Sequence, residues 1–492
     1  MSRAPGQPIW NKSRYRDFTG GENLQVLPEA IAANEVQKAF NCVITAEGLL
    51  ETRLGRTKVN TTSLGAGAII SAHRYSKEDG TRYLVVQHGT ALYAKSWDGS
   101  TPFAAFPAAV KTGLTAGKKL RSLTWKDKLI LTNGTDQAFA FDGTTCTDVA
   151  AIPKCMALYL YAGRLWCVDE ATGFLENSNL EDYTDWTDTG SYKVRDGDGD
   201  KITALCPLPG GMVIMKKNSL QTLYGTNPGG TGNISIDEPF SVHAGVVGPD
   251  AVLSEGVFMG SDNMYGFGLN SITPVKPTHI PLISSLTPAQ RATIFAIPHP
   301  KERRALFQLP TSDKRCLCVD ERRNGAITSW YDLNAACFSV CDDADDSGAL
   351  LIGDATNGIV YAYGGNTDDG VAITSRVKTA YIDHDETSNK EWNSYIPELE
   401  VLDSEATYRF YHGYDVDYQT YGGMLTNSFK QNLLTWGVDE WGTATWGNGS
   451  RFNDPLFMHD ARGNRISFET VCYNRVGFNG FTTRYRIVGA QI

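Results

Sequence analysis

Two short acidic stretches carry the side chains best suited to chemistry. In DADDSGALLIGD, Asp343 to Asp354, oxygen-bearing side chains stand at positions one, three, five and twelve, and Gly348 stands at position six. That approaches the ligand spacing of a twelve-residue calcium loop. In DGDGD, Asp196 to Asp200, three more carboxylates alternate with glycine, but Lys201 stands where such a loop needs glycine. The flanking elements decide between metal site and turn. A helix–loop–helix calcium site needs helices on both sides. Here AACFSVC precedes the first stretch and IVYAY follows it, and both read as strands. The segment Ala349 to Ile352 reads as an apolar strand that a calcium loop would have to fold back on itself. Asp354 is therefore expected to open a turn, and 342–348 to be a polar connection. A simpler calcium turn at Asp343 and Asp345 stays open. Asp196 to Asp200 is read as a solvated turn before the strand from Ile202 to Leu205, with calcium as its alternative.

Other candidates weigh the same way. Asp169, Asp262 and Asp320 each follow a strand, and paired carboxylates at strand ends can cleave glycosidic bonds. Asp in that position is also the standard turn former, and no catalytic residue is assigned. The ten cysteines include Cys316/Cys318 and Cys337/Cys341, set in alternating apolar runs. They read as small buried side chains, with no short Cys-x-x-Cys pair to hold zinc. No metal or cofactor is implied. Trp436, Trp441 and Trp446 recur every five residues in a Gly-rich stretch, a spacing that is neither helical nor strand-like. They read as loop aromatics over a sheet edge, with anchors at a partner interface or an aromatic platform for sugar as alternatives.

Composition bounds the rest. In 492 residues, 41% hydrophobic content can build sizeable cores, and a net charge of −10 argues against tight nucleic-acid binding. No apolar run spans a bilayer, and the N-terminal stretch has no apolar core, so neither membrane insertion nor secretion is expected and synthesis in a reducing cytoplasm fits. LPEAIAANEVQKAFN, with Pro28 at its start and Asn34 or Asn41 at its end, is expected to be the one helix. Nearly everything else reads as short strands between Gly, Asn and Asp turns.

A repeat runs along the middle. RYLVVQHGTALYAKSWDG from Arg82, DKLILTNGTDQAFAFDG from Asp127 and SGALLIGDATNGIVYAYGG from Ser347 are three of seven such units. Each is an apolar strand, a polar turn and a second strand, about 35–50 residues from the next, the period of propeller blades. The expected fold is all-β: a β-propeller of about seven blades over 61–368, then an antiparallel β-sandwich or jelly-roll-like domain over 369–492. Residues 1–60 are expected to be an arm, helix and strand that closes the propeller. Six or eight blades, or hairpins in two sandwiches, are the alternatives. Runs such as Leu129-Ile130-Leu131 and Val213-Ile214-Met215 are expected to be the inner strands. The basic arm from Arg3 to Arg16 is expected to be extended and to dock on a partner ring.

Three passages resemble one family. DFTGGENLQVLPEAIAANEVQKAFNCVITAEGLLETRLGRTKV from Asp17 has a Phe-x-Gly-Gly-x-Asn start and a Gly-Leu-Leu-x-x-Arg-x-Gly strand. DGDGDKITALCPLPGGMVIMKKNSLQTLYG from Asp196 and HAGVVGPDAVLSEGVFMGSDNMYGF follow, and GNRISFETV with YRIVGAQI closes the chain. Together they look like the tail nozzle family of short-tailed phages, also called tail tubular protein B or packaged-DNA stabilisation protein. The resemblance implies a non-enzymatic virion tail protein, made in the host cytoplasm. It implies a homo-hexameric ring below the portal and adaptor that extends the DNA channel, retains packaged DNA and carries fibres or a needle. An acidic wall suits passing double-stranded DNA, which it repels and lets slide. The alternative function is a receptor-binding tail propeller that recognises host glycan.

Overall fold

The computed structural model describes residues 10–487 except 188–189, 196, 229–231, 255, 342–347, 385–387, 389, 403–404, 415–420, 431–450, 453–455 and 464. The chain divides into two compact units. One comprises Thr57–Cys316 and Asp332–Tyr363; the other comprises Met1–Arg56, Leu317–Tyr331 and Gly364–Ile492.

The first unit is a β-propeller. Seven strands lie side by side around its axis: Ile69–Ser76, Arg121–Trp125, Cys155–Tyr161, Ile202–Leu208, Val252–Leu253, Phe295–His299 and Ala335–Cys341. The last lies against the first and closes the ring. Each begins a blade by pairing antiparallel with the next strand in sequence, as Arg121–Trp125 does with Lys128–Thr132. Tyr75 donates its hydroxyl to the Asp127 carbonyl, and Tyr161 to the Gly225 carbonyl, stitching one blade to the next. Ring closure also uses residues just past the unit's start. Val59 N–H donates to Val360 O, and Val360 N–H to Asn60 Oδ1.

The innermost strands are not those the apolar runs suggested. Leu129–Leu131 and Val213–Met215 lie on second strands, Lys128–Thr132 and Gly211–Lys216, each flanked by strands on both edges. Sheets stacked radially cover both faces of a second strand, so it is apolar at consecutive positions. The axial strand is the edge strand of its blade and turns its unpaired edge toward the axis, and residues such as Arg121, Ser122 and Thr124 are tolerated there. Between blades the buried side chains form successive clusters, for example Tyr75, Val85, Leu129, Phe139 and Phe141.

The second unit has one core between two sheets. In one sheet Val476–Ile487 is central, pairing with Lys390–Val401 on one edge and with Leu50–Thr52 and Asn11–Tyr15 on the other. The other sheet runs, in order, Ala326–Trp330, Gly21–Glu22, Glu35–Phe40, Thr374–Thr379, Ile466–Tyr473, Glu405–Tyr414 and Tyr421–Lys430. Phe18, Val36, Ala39, Leu50, Val377, Trp392, Tyr395, Phe468 and Phe478 meet in the core. Instead of a body built from 369–492 alone, this unit weaves in the N-terminal segment and Leu317–Tyr331.

The expected helix is a correction. Only Pro28–Ala30 forms a turn of 3-10 helix, and Glu35–Phe40 is a strand. Its residues have fair helix propensity. As a strand, however, it pairs in parallel with Gly21–Glu22 and antiparallel with Thr374–Thr379 and buries Val36 and Ala39. Isolated propensity of a few tenths of a kcal/mol per residue is overridden by such packing.

Candidate functional site

The most distinctive polar constellation lies on the propeller axis. Asp250, just before the innermost strand of the fifth blade, meets Arg121 of the second blade. Arg121 Nε and Nη2 donate to its two carboxylate oxygens at 2.8 and 3.0 Å, and Lys119 Nζ stands at 3.2 Å. Second and fifth blades are not neighbours in a ring of seven, so this bidentate pair crosses the axis. The Asp250 carbonyl accepts from Ala296 N–H of the sixth blade, and Lys119 lies 5.2 Å from the Phe295 ring centre. Burial would push the Asp250 carboxyl up, but Lys119 and Arg121 outweigh it and hold it below the usual range.

His73 lies beside this bridge. Its Nε2 is 2.8 Å from Ser71 Oγ and its Nδ1 is 2.9 Å from Ser122 Oγ, and the residue is buried. Burial, with nearby Lys119 and Arg121 and against Asp250, lowers its ionisation from the ordinary value of 6.5 to about 3. Its imidazole is thus neutral in the folded chain near neutrality. A neutral histidine between two hydroxyls, beside a carboxylate already saturated by two cations, is a structural tie. Neither Ser is activated by a histidine–carboxylate pair, since both ring nitrogens face hydroxyls. Because the folded value is depressed, the unfolded chain binds the extra proton between pH 6.5 and about 3. Stability from His73 is full above 6.5 and falls as pH drops, by up to about 1.4 kcal/mol per pH unit. His73→Gln should therefore flatten the acid limb of a urea-midpoint-versus-pH curve. An unchanged limb would remove His73 as its source.

The described carboxylates of the acidic stretches are engaged within the chain. Asp198 accepts from Lys216 Nζ at 2.8 Å, and that ammonium is buried. Asp200 accepts from the backbone N–H of Lys217 and Asn218. With Asp169 and Phe174 they line a cleft of 350 Å³. Lys216 Nζ also donates to the Arg195 carbonyl at 3.4 Å. Asp196 and Asp343 to Asp345 lie outside the described residues. Asp354 ends the strand Ala349–Asp354 and accepts from Thr356 N–H and Oγ1, Asn357 N–H and Asn334 Nδ2, so it opens a turn. Among the described residues no group of three or more His, Cys, Asp or Glu could hold a metal ion.

The three strand-end carboxylates are separately engaged. Asp169 caps the turn through Ala171 N–H, Thr172 N–H and Thr172 Oγ1. Asp262 accepts from the Tyr265 hydroxyl at 2.9 Å, and Asp320 accepts from Arg322 at its backbone N–H and twice at its guanidinium. None of the ten cysteines is in a disulfide, and Cys316, Cys318, Cys337 and Cys341 are buried in strands. Trp436, Trp441 and Trp446 lie outside the described residues.

One motif that carried the resemblance, Gly-Leu-Leu-x-x-Arg-x-Gly, places its Arg53 in a buried node, which sequence spacing alone did not bring together. Arg53, fully buried, donates to both Asp368 oxygens at 3.0 and 2.7 Å, to Asn41 Oδ1 at 3.1 Å, and to the Leu54 and Tyr331 carbonyls. Asn41 is left-handed, with φ of 52°, a region that Asn tolerates better than most residues. It is the corner where the chain leaves Glu35–Phe40 in one sheet and enters Cys42–Ile44 in the other. Its side chain also accepts from Tyr331 N–H and donates to the Thr374 carbonyl. Gly21, with φ of 71°, sits where a Cβ would fall 2.6 Å from the Ile327 carbonyl oxygen, and a Cβ on Gly55 would fall 2.0 Å from that of Thr367.

Of the basic arm, Asn11–Tyr15 is extended as expected. It pairs with residues 481–485 of its own chain, and Arg14 and Arg16 both engage Glu398. Residues 1–9 lie outside the described residues.

No family model and no curated protein matches this chain. Among solved structures, it is similar to the WD40 domain of Pan2 from Neurospora crassa at 10% identity and a TM-score of 0.37, over 65% of this chain and 97% of that one. It is also similar to the computationally designed Ika8 protein at 8% identity and 0.39, over 63% and 100%, and to YCF48 bound to D1 peptide at 10% identity and 0.36, over 63% and 95%.

Proposed function

We propose that this chain is a virion structural protein of a short-tailed phage, a ring-forming tail nozzle that extends the DNA channel. The observation that carries the reading is the node around Arg53. The Gly-x-x-x-x-Arg-x-Gly residues, which resemble the nozzle family, supply the Arg53 that ties three chain segments into one body. A force-bearing ring needs such a body, because a tie between distant segments must break before any one segment peels away. The axial bridge of Arg121 and Asp250 suits the same reading. It leaves the propeller axis spanned by side chains, so a DNA channel in this proposal lies between subunits and not through a propeller.

The role is non-enzymatic, and the acidic net charge fits a conduit wall. The partners in this reading are copies of the chain as a hexamer, the portal and adaptor above, and fibres or a needle below. Mixing the purified chain with portal and adaptor rings and imaging the product should give a ring coaxial with the tail. A chain that stays monomeric in that mixture, or that instead binds host cells as a free spike, would sink the proposal.

A further inference from the structure

One sheet face of the second unit departs from the charge of the whole chain. Its inward residues, Ala39, Val377, Phe468 and Cys472, are in the core. Side chains alternate along a strand, so their neighbours point the other way. The register then aligns two rows. Lys38 stands opposite Lys378, which stands opposite Glu469, which stands opposite Tyr411. One step along, Phe40 stands opposite Arg376, then Val471, then Arg409. Four cations and one carboxylate thus share a face, a net charge of +3 on a chain whose net charge is −10.

The details fit a surface built for anions. Lys38 and Lys378 are directly paired like charges, an arrangement that costs stability in a sheet. Glu469 is buried and holds Arg376 at 3.3 Å, yet the Arg376 side chain keeps 41% of its surface exposed. Arg409 is exposed and lies over the Tyr473 ring at 5.5 Å, and Lys38 lies over Phe40 at 5.6 Å. Phe40 in turn packs on Tyr331 at 4.3 Å. Rings beneath the cations fix their position without neutralising them. Burial lowers the Lys378 ionisation, Glu469 raises it and Lys38 lowers it. An anion placed over the pair would relieve that repulsion.

We propose that this face binds the phosphate backbone of double-stranded DNA without reading sequence. Four strands at about 4.8 Å spacing set the cations across about 14 Å, a length over which a duplex presents several phosphates. Base edges are not read, because the cations lie across a sheet face and meet the backbone phosphates. A conduit that repels DNA over most of its surface would then hold it at one place. The inference deepens the nozzle reading and rests on it for the choice of double-stranded DNA.

The test is fluorescence anisotropy of the full chain with a labelled duplex of about 20 base pairs across a salt series. With three net charges engaged, affinity should fall about 40-fold between 50 and 200 mM salt, the slope expected for three released counterions. Lys38→Gln and Arg409→Gln should each reduce that fall to about 12-fold, one counterion fewer. Lys126→Gln, on a propeller turn, should leave it unchanged. Salt-independent binding, no binding, or the wild-type slope in both face variants would overturn the proposal. So would capture of polyglutamate in preference to duplex through the same two residues, which would mark an acidic protein partner. Ring formation is scored separately. A chain that joins the ring but binds no duplex here removes only this face, and one that binds duplex but joins no ring removes only the nozzle reading.

Discussion

Arg53→Ala is expected to lower the stability of its unit by about 3–5 kcal/mol, the cost of breaking a fully buried ion pair by removing one partner. Arg53 has no exposed side-chain surface, and Asp368 is 15% exposed. Truncation would leave that carboxylate facing a cavity, and Asn41 Oδ1 and the Tyr331 carbonyl would each lose a donor. The effect reaches further than one pair, because Asn41 is the corner between two sheets. Amide hydrogen exchange should accelerate in Glu35–Phe40 and Cys42–Ile44, on both sides of that corner. Arg53→Met with Asp368→Leu should recover part of the loss, because removing both charges ends the desolvation penalty. Urea unfolding of the two single variants and the double variant measures the coupling. A loss below about 1 kcal/mol for Arg53→Ala would show that the node is not what ties the segments.

Asp250→Ala has the second-largest expected effect, about 2–4 kcal/mol. The range for a buried pair is reduced here because Asp250 keeps 24% of its side-chain surface exposed. Without it Arg121 and Lys119 lose the carboxylate they share beside His73. The loss depends on pH with a definite sign. The folded Asp250 value is depressed, so its contribution is full above the ordinary Asp value of about 3.9 and disappears as pH falls through the lower folded value. The gap between wild type and variant should therefore be constant from pH 7 to about 5 and close below about 4. Urea midpoints across that range measure it, and a gap that persists into strong acid would mean that Asp250 acts through shape alone.

How much of this was legible in the chain follows from which forces are local. The repeat of apolar strand, polar turn and second strand is a local pattern, and the propeller could be read from it. Asp169 and Asp354 could be read as turn formers because a short side chain reaches backbone N–H groups two and three residues on, whatever lies further away. The order of strands within a blade could not be read. The most apolar strand is the one covered on both faces, and only the stacked sheets decide that this is the second strand. The strand Glu35–Phe40 was misread for a related reason, since its conformation is chosen by partners outside it, among them Thr374–Thr379, more than three hundred residues away.

The sequence by itself determined an all-β chain with a blade repeat, buried thiols and an acidic balance, because composition and short-range periodicity act within a few residues. Only the tertiary structure decided where charge meets charge. Arg53 finds Asp368, Arg121 finds Asp250 across the axis, and Lys38 comes to lie opposite Lys378. Each pairing joins residues separated by more than a hundred positions. The register of packed sheets selects these pairs, and a linear pattern carries no record of that register.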